Sequence, residues 1–283
     1  MARASIDLEA SSSQYLSAVD SASLSVTGNF TIECWVYLES QPSAASYCIA
    51  SKYSGSGDQR SYLVGYQDNA GTKRFYVNTS STGNSASSGT LNHTLSLATW
   101  THIAFVYTAA SSAIEIFVNG ASVGTISGLT SSIFNGTAQF FVGRDDSTSY
   151  FDGLIDELRL WSVARSGADI LANMKLDIAS ATNLNASYSF DNVLTDGSGN
   201  ANTLTNNGSA VFSTNPHPFD LDVGVSTLTI SAPTVSILTN PTGTLSPATL
   251  TLSSPLVTTV AKVNPWVNTT KAAEAEWSNT VKP

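Results

Sequence analysis

Short apolar runs separated by clusters of Gly, Ser and Asn follow one another along the chain up to about residue 219. The runs are rich in β-branched and aromatic residues, which are typical of strands. They are FTIECWVYL (30–38), SYLVGY (61–66), KRFYVN (73–78), THIAFVYT (101–108), AIEIFVNG (113–120) and QFFVGR (139–144). Their regular succession, with turn residues between them, predicts an antiparallel β-sandwich.

The run AIEIFVNG shows the period-two alternation of a half-buried strand. Ile114 and Ile116 share one predicted face, and Phe117 lies on the opposite face. Asn119 and Gly120 then supply residues that tolerate positive φ angles, which predicts a tight two-residue hairpin turn.

Helix is predicted to be the minority element. The stretch 162–174 places Ile170, Leu171 and Met174 at helical spacing. The stretch 271–277 is rich in Ala and Glu, which favours a short helical segment near the end of the chain.

The composition changes after about residue 220. Two segments, TLTISAPTV (227–235) and TLTLSSPLV (249–257), alternate Leu or Ile with Thr or Ser before a proline, which is typical of edge strands. Such strands have no covering layer within their own segment and cannot form a core alone. We therefore predict a β-domain over residues 1–219 and an extended tail over 220–283 that is either disordered or, as its β-propensity favours, packed on a partner.

Charge excludes one class of partner. Charged residues make up 12% of the chain, the formal net charge is −9 and the isoelectric point is near 4.6. No basic stripe is left to neutralise phosphates, so a nucleic-acid partner is not expected. No apolar run has the length of a membrane span, and MARASIDLEA lacks the apolar stretch of an export signal.

The metal-binding and nucleophilic residue types are sparse. Cys34 and Cys48 are the only cysteines, and they can form one disulfide or remain as two buried thiols, but not a closed zinc site. The histidines His93, His102 and His217 lie in unrelated segments and suggest neither a zinc site nor a catalytic triad.

An acidic pair interrupts the apolar segment FDGLIDELRLWSVARSGADI, at Asp156 and Glu157. In a regular strand, neighbouring side chains point to opposite faces, so these two carboxylates are predicted not to converge on one substrate atom. Glycoside hydrolysis normally uses two carboxylates at a defined separation. We interpret the pair as part of the scaffold and expect no catalytic residue and no enzyme activity.

Several motifs together resemble the laminin-G-like, concanavalin A-type jelly-roll domains of the pentraxin branch. They are YLSAVDSASLSVTGNFTIECWVYL, WTHIAFVY, IFVNGASVG, FVGRDD, FDGLIDELRLWSVARSGADI and YSFDN followed by DGSGNANTLTNNG. The resemblance covers residues 1–219 and implies two stacked antiparallel sheets of six or seven strands each. It also implies that the loops at the rim of the sandwich are available for ligands.

The resemblance further implies a calcium site. Pentraxins bind calcium through acidic and amide side chains in two loops, and the matching positions here are Asp68 and Asn69 in one loop and Asp145 and Asp146 in the other. Oxygen ligands from separate loops suit calcium. Asp and Asn are equally the common residues of β-turns, which is the alternative interpretation.

Two other features follow from the same resemblance. The pentraxin disulfide joins the strand that matches TIECWV to a position occupied here by Ala104, so Cys34 lacks that partner and Cys48 is the remaining candidate. Tyr66, Tyr150 and Phe151 would form a sugar-stacking surface if their loops meet at the rim. The alternative is that these aromatic side chains pack in the core.

The tail resembles, more loosely, the proline-punctuated segments of bacteriophage virion proteins such as tail fibres and capsid decorations. Trp266 and Trp277 occur in the related sequences WVNTTK and WSNTVK and are candidate anchors for burial in a partner. We therefore predict a virion structural protein that displays a lectin-like domain toward glycans. Its tail would bind other virion proteins or copies of itself. The alternative is an extracellular or cell-surface module that binds carbohydrate or protein with the help of calcium.

Overall fold

The computed structural model describes residues 3–42, 46–146, 149–215 and 217. Within this part the protein is an all-β sandwich of two antiparallel sheets, as predicted. The boundary at residue 219, the tail over 220–283 and the proposed anchors Trp266 and Trp277 lie outside the described residues and stay predictions.

Fifteen strands form the sandwich in the described part of the chain. They are β1 (Ser5–Leu8), β2 (Tyr15–Ala18), β3 (Phe30–Leu38), β4 (Ser46–Ser54), β5 (Gln59–Asn69), β6 (Thr72–Thr79), β7 (Ser87–Asn92), β8 (Thr101–Thr108), β9 (Ala113–Val118), β10 (Ala121–Ser127), β11 (Phe140–Val142), β12 (Gly153–Trp161), β13 (Leu184–Tyr188), β14 (Thr205–Asn207) and β15 (Val211–Ser213). Sheet A has the order β10, β9, β8, β3, β12, β1, β15, with β13 also paired to β12. Sheet B has the order β14, β2, β11, β4, β5, β6, β7.

The alternation predicted for β9 is confirmed. Ile114 and Ile116 are buried between the sheets, and Phe117 lies on the outer face of sheet A against Ile170. The hairpin turn to β10 is made by Asn119 and Gly120 at φ angles of 50° and 78°. A positive φ angle at both central residues is what a tight hairpin turn requires.

One α-helix is present in the described residues, α1 (Gly167–Asn173), inside the predicted stretch. It begins after Ser166, whose hydroxyl accepts a hydrogen bond from the backbone N–H of Asp169 at 3.1 Å. Ile170 faces sheet A and is fully buried, whereas Leu171 is 56% exposed. No described helix is long and apolar enough to cross a bilayer.

The two cysteines are free thiols, which is one of the two alternatives that the sequence left open. Cys34 faces the core between the sheets, whereas Cys48 packs with Leu63 and Tyr76 in a separate cluster of sheet B. Burial raises the pKa of both thiols, so both stay protonated at neutral pH. They fill space as small apolar groups.

Candidate functional site

The acidic pair of β12 lies at a β-bulge. The register between β12 and β3 shifts between Asp156 and Arg159, and Glu157 has a φ angle of 48°. Ile155 and Leu158 both face the core, so the two residues between them both turn to the outer face of sheet A. The prediction that Asp156 and Glu157 point to opposite faces is therefore wrong, because the bulge adds one residue to the strand.

Glu157 belongs to a buried ion network centred on Arg159. The Arg159 guanidinium donates to Glu157 Oε2 at 2.7 Å, to the carbonyl oxygen of Asn173 at 3.2 Å and to that of Leu176. It also lies 3.7 Å from Glu33. The network fastens helix α1 and the segment after it to the outer face of sheet A.

Glu33 extends this network on β3. Its Oε1 accepts hydrogen bonds from Trp161 Nε1 at 2.9 Å and from Arg165 Nη1 at 2.6 Å. The Arg165 guanidinium also lies over the Trp161 ring, 4.1 Å from the ring centroid. The His102 ring is fully buried 3.8 Å from Glu33, and burial lowers its pKa well below the usual value, so this imidazole stays neutral.

Asp156 forms a separate pair with His217. Its Oδ2 lies 2.9 Å from His217 Nδ1 and 3.2 Å from the backbone nitrogen of that residue, and the His217 ring stacks on Trp35 at 4.8 Å. Burial raises the pKa of Asp156 to about 8 and lowers that of His217 to about 4. At neutral pH the pair is thus a protonated carboxyl beside a neutral imidazole.

Neither carboxylate of the acidic pair reaches solvent, since Asp156 is 1% exposed and Glu157 is 2% exposed. Asp156 is held by His217 and Glu157 by Arg159 of the same strand, and no substrate could contact them without unfolding this region. Their geometry agrees with the scaffold interpretation.

The first half of the predicted calcium set lies at the hairpin between β5 and β6. Asp68 Oδ1 accepts a hydrogen bond from the Gly71 backbone at 2.7 Å, and Oδ2 pairs with Lys73 Nζ at 3.1 Å. Asn69 is exposed at the end of β5. These contacts are those of a turn-closing aspartate.

The second half lies in the loop after β11. Asp145 Oδ1 accepts from the Ser149 backbone at 3.3 Å, and Asp146 Oδ2 accepts from the Gly55 backbone. Gly55 follows β4 at the end opposite Asp68, so Asp68 and Asp146 are separated by about 30 Å along the strands at roughly 3.3 Å per residue. These two residues do not share one ion, and calcium binding by either half of the set stays a prediction.

The predicted aromatic surface is only partly formed. Tyr66 and Phe151 are both fully buried. The Tyr66 hydroxyl accepts from the Leu95 backbone at 2.9 Å, and the Phe151 ring packs edge-on against Tyr47 at 6.0 Å. Neither offers a ring face to a ligand, which corrects the prediction for these two: both side chains point inward and pack in the core. Tyr150 is half-buried and faces outward.

Tyr150 instead joins an aromatic platform that the sequence did not suggest, made of Tyr15, Phe141 and Tyr150 on the outer face of sheet B. The Tyr15 ring lies 5.8 Å from Phe141 and 6.2 Å from Tyr150. The Arg144 guanidinium covers all three rings, 4.4 Å, 5.2 Å and 5.6 Å from the centroids of Tyr15, Phe141 and Tyr150.

Beside the platform lies an open cleft of about 330 Å³, which we call the sheet B cleft. It is lined by hydroxyl, amide and apolar groups together with one cation and one carboxylate. The lining residues are Ser54, Ser56, Gln59, Thr137, Ala138, Gln139, Phe141, Arg144 and Asp146. A small concave site with a few polar groups beside an aromatic ring is typical of small-molecule binding.

Two side chains hold the wall of this cleft in place. Gln59 Oε1 accepts hydrogen bonds from the Thr137 backbone at 2.7 Å and from the Thr137 hydroxyl at 3.1 Å. Lys52 is fully buried, donates to the carbonyl oxygens of Gly136 and, at 2.9 Å, Ala138, and pairs with Asp20 at 2.8 Å. The segment before β11 is therefore fixed to β4 and β5.

A family model described as the concanavalin A-like lectin/glucanases superfamily matches residues 10–171. No curated protein matches the chain.

Two solved structures share the fold at low sequence identity. A Bacteroides ovatus protein assigned as carbohydrate-binding has a TM-score of 0.57 and 18% identity over 77% of this chain, which spans 62% of the length of that protein. A heptameric SAP-like pentraxin from Limulus polyphemus has a TM-score of 0.54 and 10% identity, over 78% of this chain and 98% of the pentraxin.

Proposed function

This chain belongs to the concanavalin A-like lectin/glucanases superfamily, and from that membership and its geometry we propose that it is a non-catalytic glycan-binding module whose ligand occupies the sheet B cleft. The observation that carries the proposal is the composition of the cleft, in which a half-buried Phe141 ring lies beside hydroxyl and amide side chains. Sugars present hydroxyl groups at their edges and C–H groups on their faces. The cleft offers a partner for each kind of group.

The comparisons support the proposal in general terms. The Bacteroides ovatus protein with the same fold is assigned as carbohydrate-binding. The acidic pair of the family motif, Asp156 and Glu157 on β12, is buried and has no access to a ligand. Binding without hydrolysis is the activity that the described residues suit.

A first test is a glycan array probed with the full chain, in calcium and in EDTA, followed by calorimetry on the best ligand. We expect Phe141→Ala to weaken binding by about tenfold, since it removes the aromatic ring that lines the cleft. The matched control is Tyr37→Ala. Tyr37 is also a half-buried aromatic residue, but it lies on β3 of sheet A beside Trp100.

Two results would contradict the proposal: no glycan bound in either buffer, or a Phe141→Ala variant that binds as tightly as the unaltered chain. Loss of binding in EDTA alone would favour calcium-assisted recognition, which is the alternative from the sequence.

The place where the module works is a second proposal, which rests on the sequence of the tail. Its two predicted strands, each ending at a proline, and the two WxNTxK segments favour attachment to a virion surface, either to other virion proteins or to copies of this chain. An extracellular or cell-surface location is the alternative.

Light scattering on the full chain tests self-association through the tail. If the tail joins copies of the chain, the double variant Trp266→Ala/Trp277→Ala is expected to reduce the oligomer to a monomer, because the buried anchors are lost. The double variant Trp35→Phe/Trp100→Phe alters two tryptophans outside the tail and serves as the control. An oligomer that keeps its mass without the tail tryptophans would rule them out as anchors.

A further inference from the structure

The structure assigns a ligand class to the sheet B cleft: we propose that it selects glycans that bear a carboxylate, which Arg144 binds through its guanidinium. This inference rests on the proposed function, because it specifies the chemistry of a ligand in the same cleft.

Arg144 is held in place before any ligand arrives. Its guanidinium covers the three rings of the aromatic platform, and its Nε donates to the carbonyl oxygen of Asp145 at 2.5 Å. Its own backbone carbonyl oxygen accepts from the Ser51 hydroxyl at 2.9 Å. A long side chain that is already fixed loses little further conformational freedom when it binds an anion.

The Nη donors of Arg144 are left without a protein partner among the described residues. Four other arginines in the described part, Arg3, Arg60, Arg159 and Arg165, each lie within 4 Å of a carboxylate oxygen, but Arg144 has no such pair. Yet this guanidinium lines a cleft. A fixed cation with free donors that faces a concave surface is suited to an anionic ligand.

The geometry of the donors favours a carboxylate. The planar guanidinium presents two parallel N–H groups that match the two oxygens of a carboxylate, and such charged hydrogen bonds are about twice as strong as neutral ones. A neutral hydroxyl at the same place has one oxygen instead of two and carries no charge. The neighbouring amides and hydroxyls remain free to bind the uncharged part of the sugar.

One acidic group also lies at the cleft. Asp146 is part of its lining, and its carboxylate accepts a hydrogen bond from the Gly55 backbone at the end of β4. The net charge of the chain is −9, so no general positive field attracts an acidic ligand. Selectivity for a carboxylate must come from the local guanidinium.

The test uses the full chain and matched pairs of glycans that differ only in one acidic group, such as a sialylated oligosaccharide and its desialylated form, or a uronic-acid disaccharide and its neutral hexose equivalent. Calorimetry gives the dissociation constant for each member. We expect the carboxylated member of at least one pair to bind about tenfold tighter or more, as a charge-assisted pair with a fixed guanidinium provides.

Arg144→Gln is expected to abolish this preference, since the amide keeps a donor without the charge or the fork. Arg144→Lys is expected to keep only part of the preference for the carboxylated glycan. It replaces Arg144→Gln as the test variant if Arg144→Gln fails to fold. Arg74→Gln on β6 is the matched control, because it changes the net charge equally on the same sheet outside the cleft.

The outcomes separate this inference from the proposed function. Equal binding of the acidic and neutral members, or a preference that survives in Arg144→Gln, overturns the carboxylate inference and leaves glycan binding intact. Stronger binding of a sulfated glycan than of its carboxylated counterpart also overturns it. If no member of any pair binds, the proposed function fails and this inference fails with it.

Discussion

Replacing Arg159 with Met is expected to lower the free energy of unfolding by about 3–5 kcal/mol, the usual cost of removing one partner of a buried ion pair. Met fills the space of the arginine stem, but among the described residues Glu157 then keeps a single cationic partner, Arg3, 3.7 Å away. It also removes the guanidinium donor from the carbonyl oxygen of Leu176 and from that of Asn173, which keeps the backbone N–H of Leu176. Urea denaturation followed by tryptophan fluorescence measures the change, since Trp35 and Trp161 adjoin the network.

Two further variants define the origin of this loss. Arg74→Met replaces a half-buried arginine of sheet B and is expected to change the stability by less than about 0.5 kcal/mol. In the double variant Glu157→Gln/Arg159→Met, the buried Glu157 carboxylate is also gone, so the loss should be smaller than in Arg159→Met alone. A loss below about 1 kcal/mol in Arg159→Met would show that the network does not fasten helix α1 to sheet A.

The fold could be predicted because its signals are local. Ile114 and Ile116 are buried between the sheets, and Phe117 packs toward helix α1. This alternation can be read from the six consecutive residues of β9. The turn at Asn119 and Gly120 depends on two residues alone. Such patterns depend on neighbouring residues alone and can be recognised without knowing the contacts made by the rest of the chain.

At the acidic pair, the period-two alternation of a regular strand leads to a wrong prediction. The segment LIDELRL has two adjacent polar residues between Ile155 and Leu158, and this break in the period-two pattern is the sign of a bulge. An unbroken strand would have placed Asp156 and Glu157 on opposite faces. Their burial could not be predicted from the segment, because Asp156 is held by His217, 61 residues away, and Glu157 by Arg159, which itself contacts helix α1 and Glu33 of β3.

The sheet B cleft depends on contacts that no local pattern encodes. QFFVGR does contain a partial signal, since Phe140 and Phe141 are neighbours and one of them must face outward. The pairing of β11 with β2 then brings Tyr15 beside Phe141, although 126 residues separate them in sequence. Arg144 and Tyr150 join them only because the loop after β11 folds back over the sheet.

The free energy of unfolding is expected to fall by about 2 kcal/mol between pH 6.5 and pH 8, and Asp156→Asn is expected to remove most of this fall. Burial raises the pKa of Asp156 from 3.8 to about 8. Between these values the folded chain holds a proton that the unfolded chain has released, so stability decreases as pH rises. The slope for one group is about 1.4 kcal/mol per pH unit.

His217 determines the pH window in which the effect becomes visible. Its pKa is lowered from 6.5 to about 4, so between these values the unfolded chain holds the extra proton and stability increases with pH. Below pH 6.5 the two residues therefore oppose each other, and above it Asp156 acts without that compensation. Glu157, whose pKa is also raised by burial, adds to the fall with rising pH where it titrates.

Urea denaturation at half-unit intervals from pH 5 to pH 8.5, on the unaltered chain and on Asp156→Asn, separates these contributions. The asparagine variant keeps a neutral group of similar shape beside His217, 2.9 Å from its ring nitrogen in the unaltered chain, but it cannot ionise. Its stability should therefore rise toward pH 6.5, through His217 and through His102 and His93, whose pKa values burial also lowers, and then stay nearly constant. Identical slopes for the two proteins above pH 6.5 would mean that Asp156 is ionised in the folded state and that the pair with His217 carries a charge.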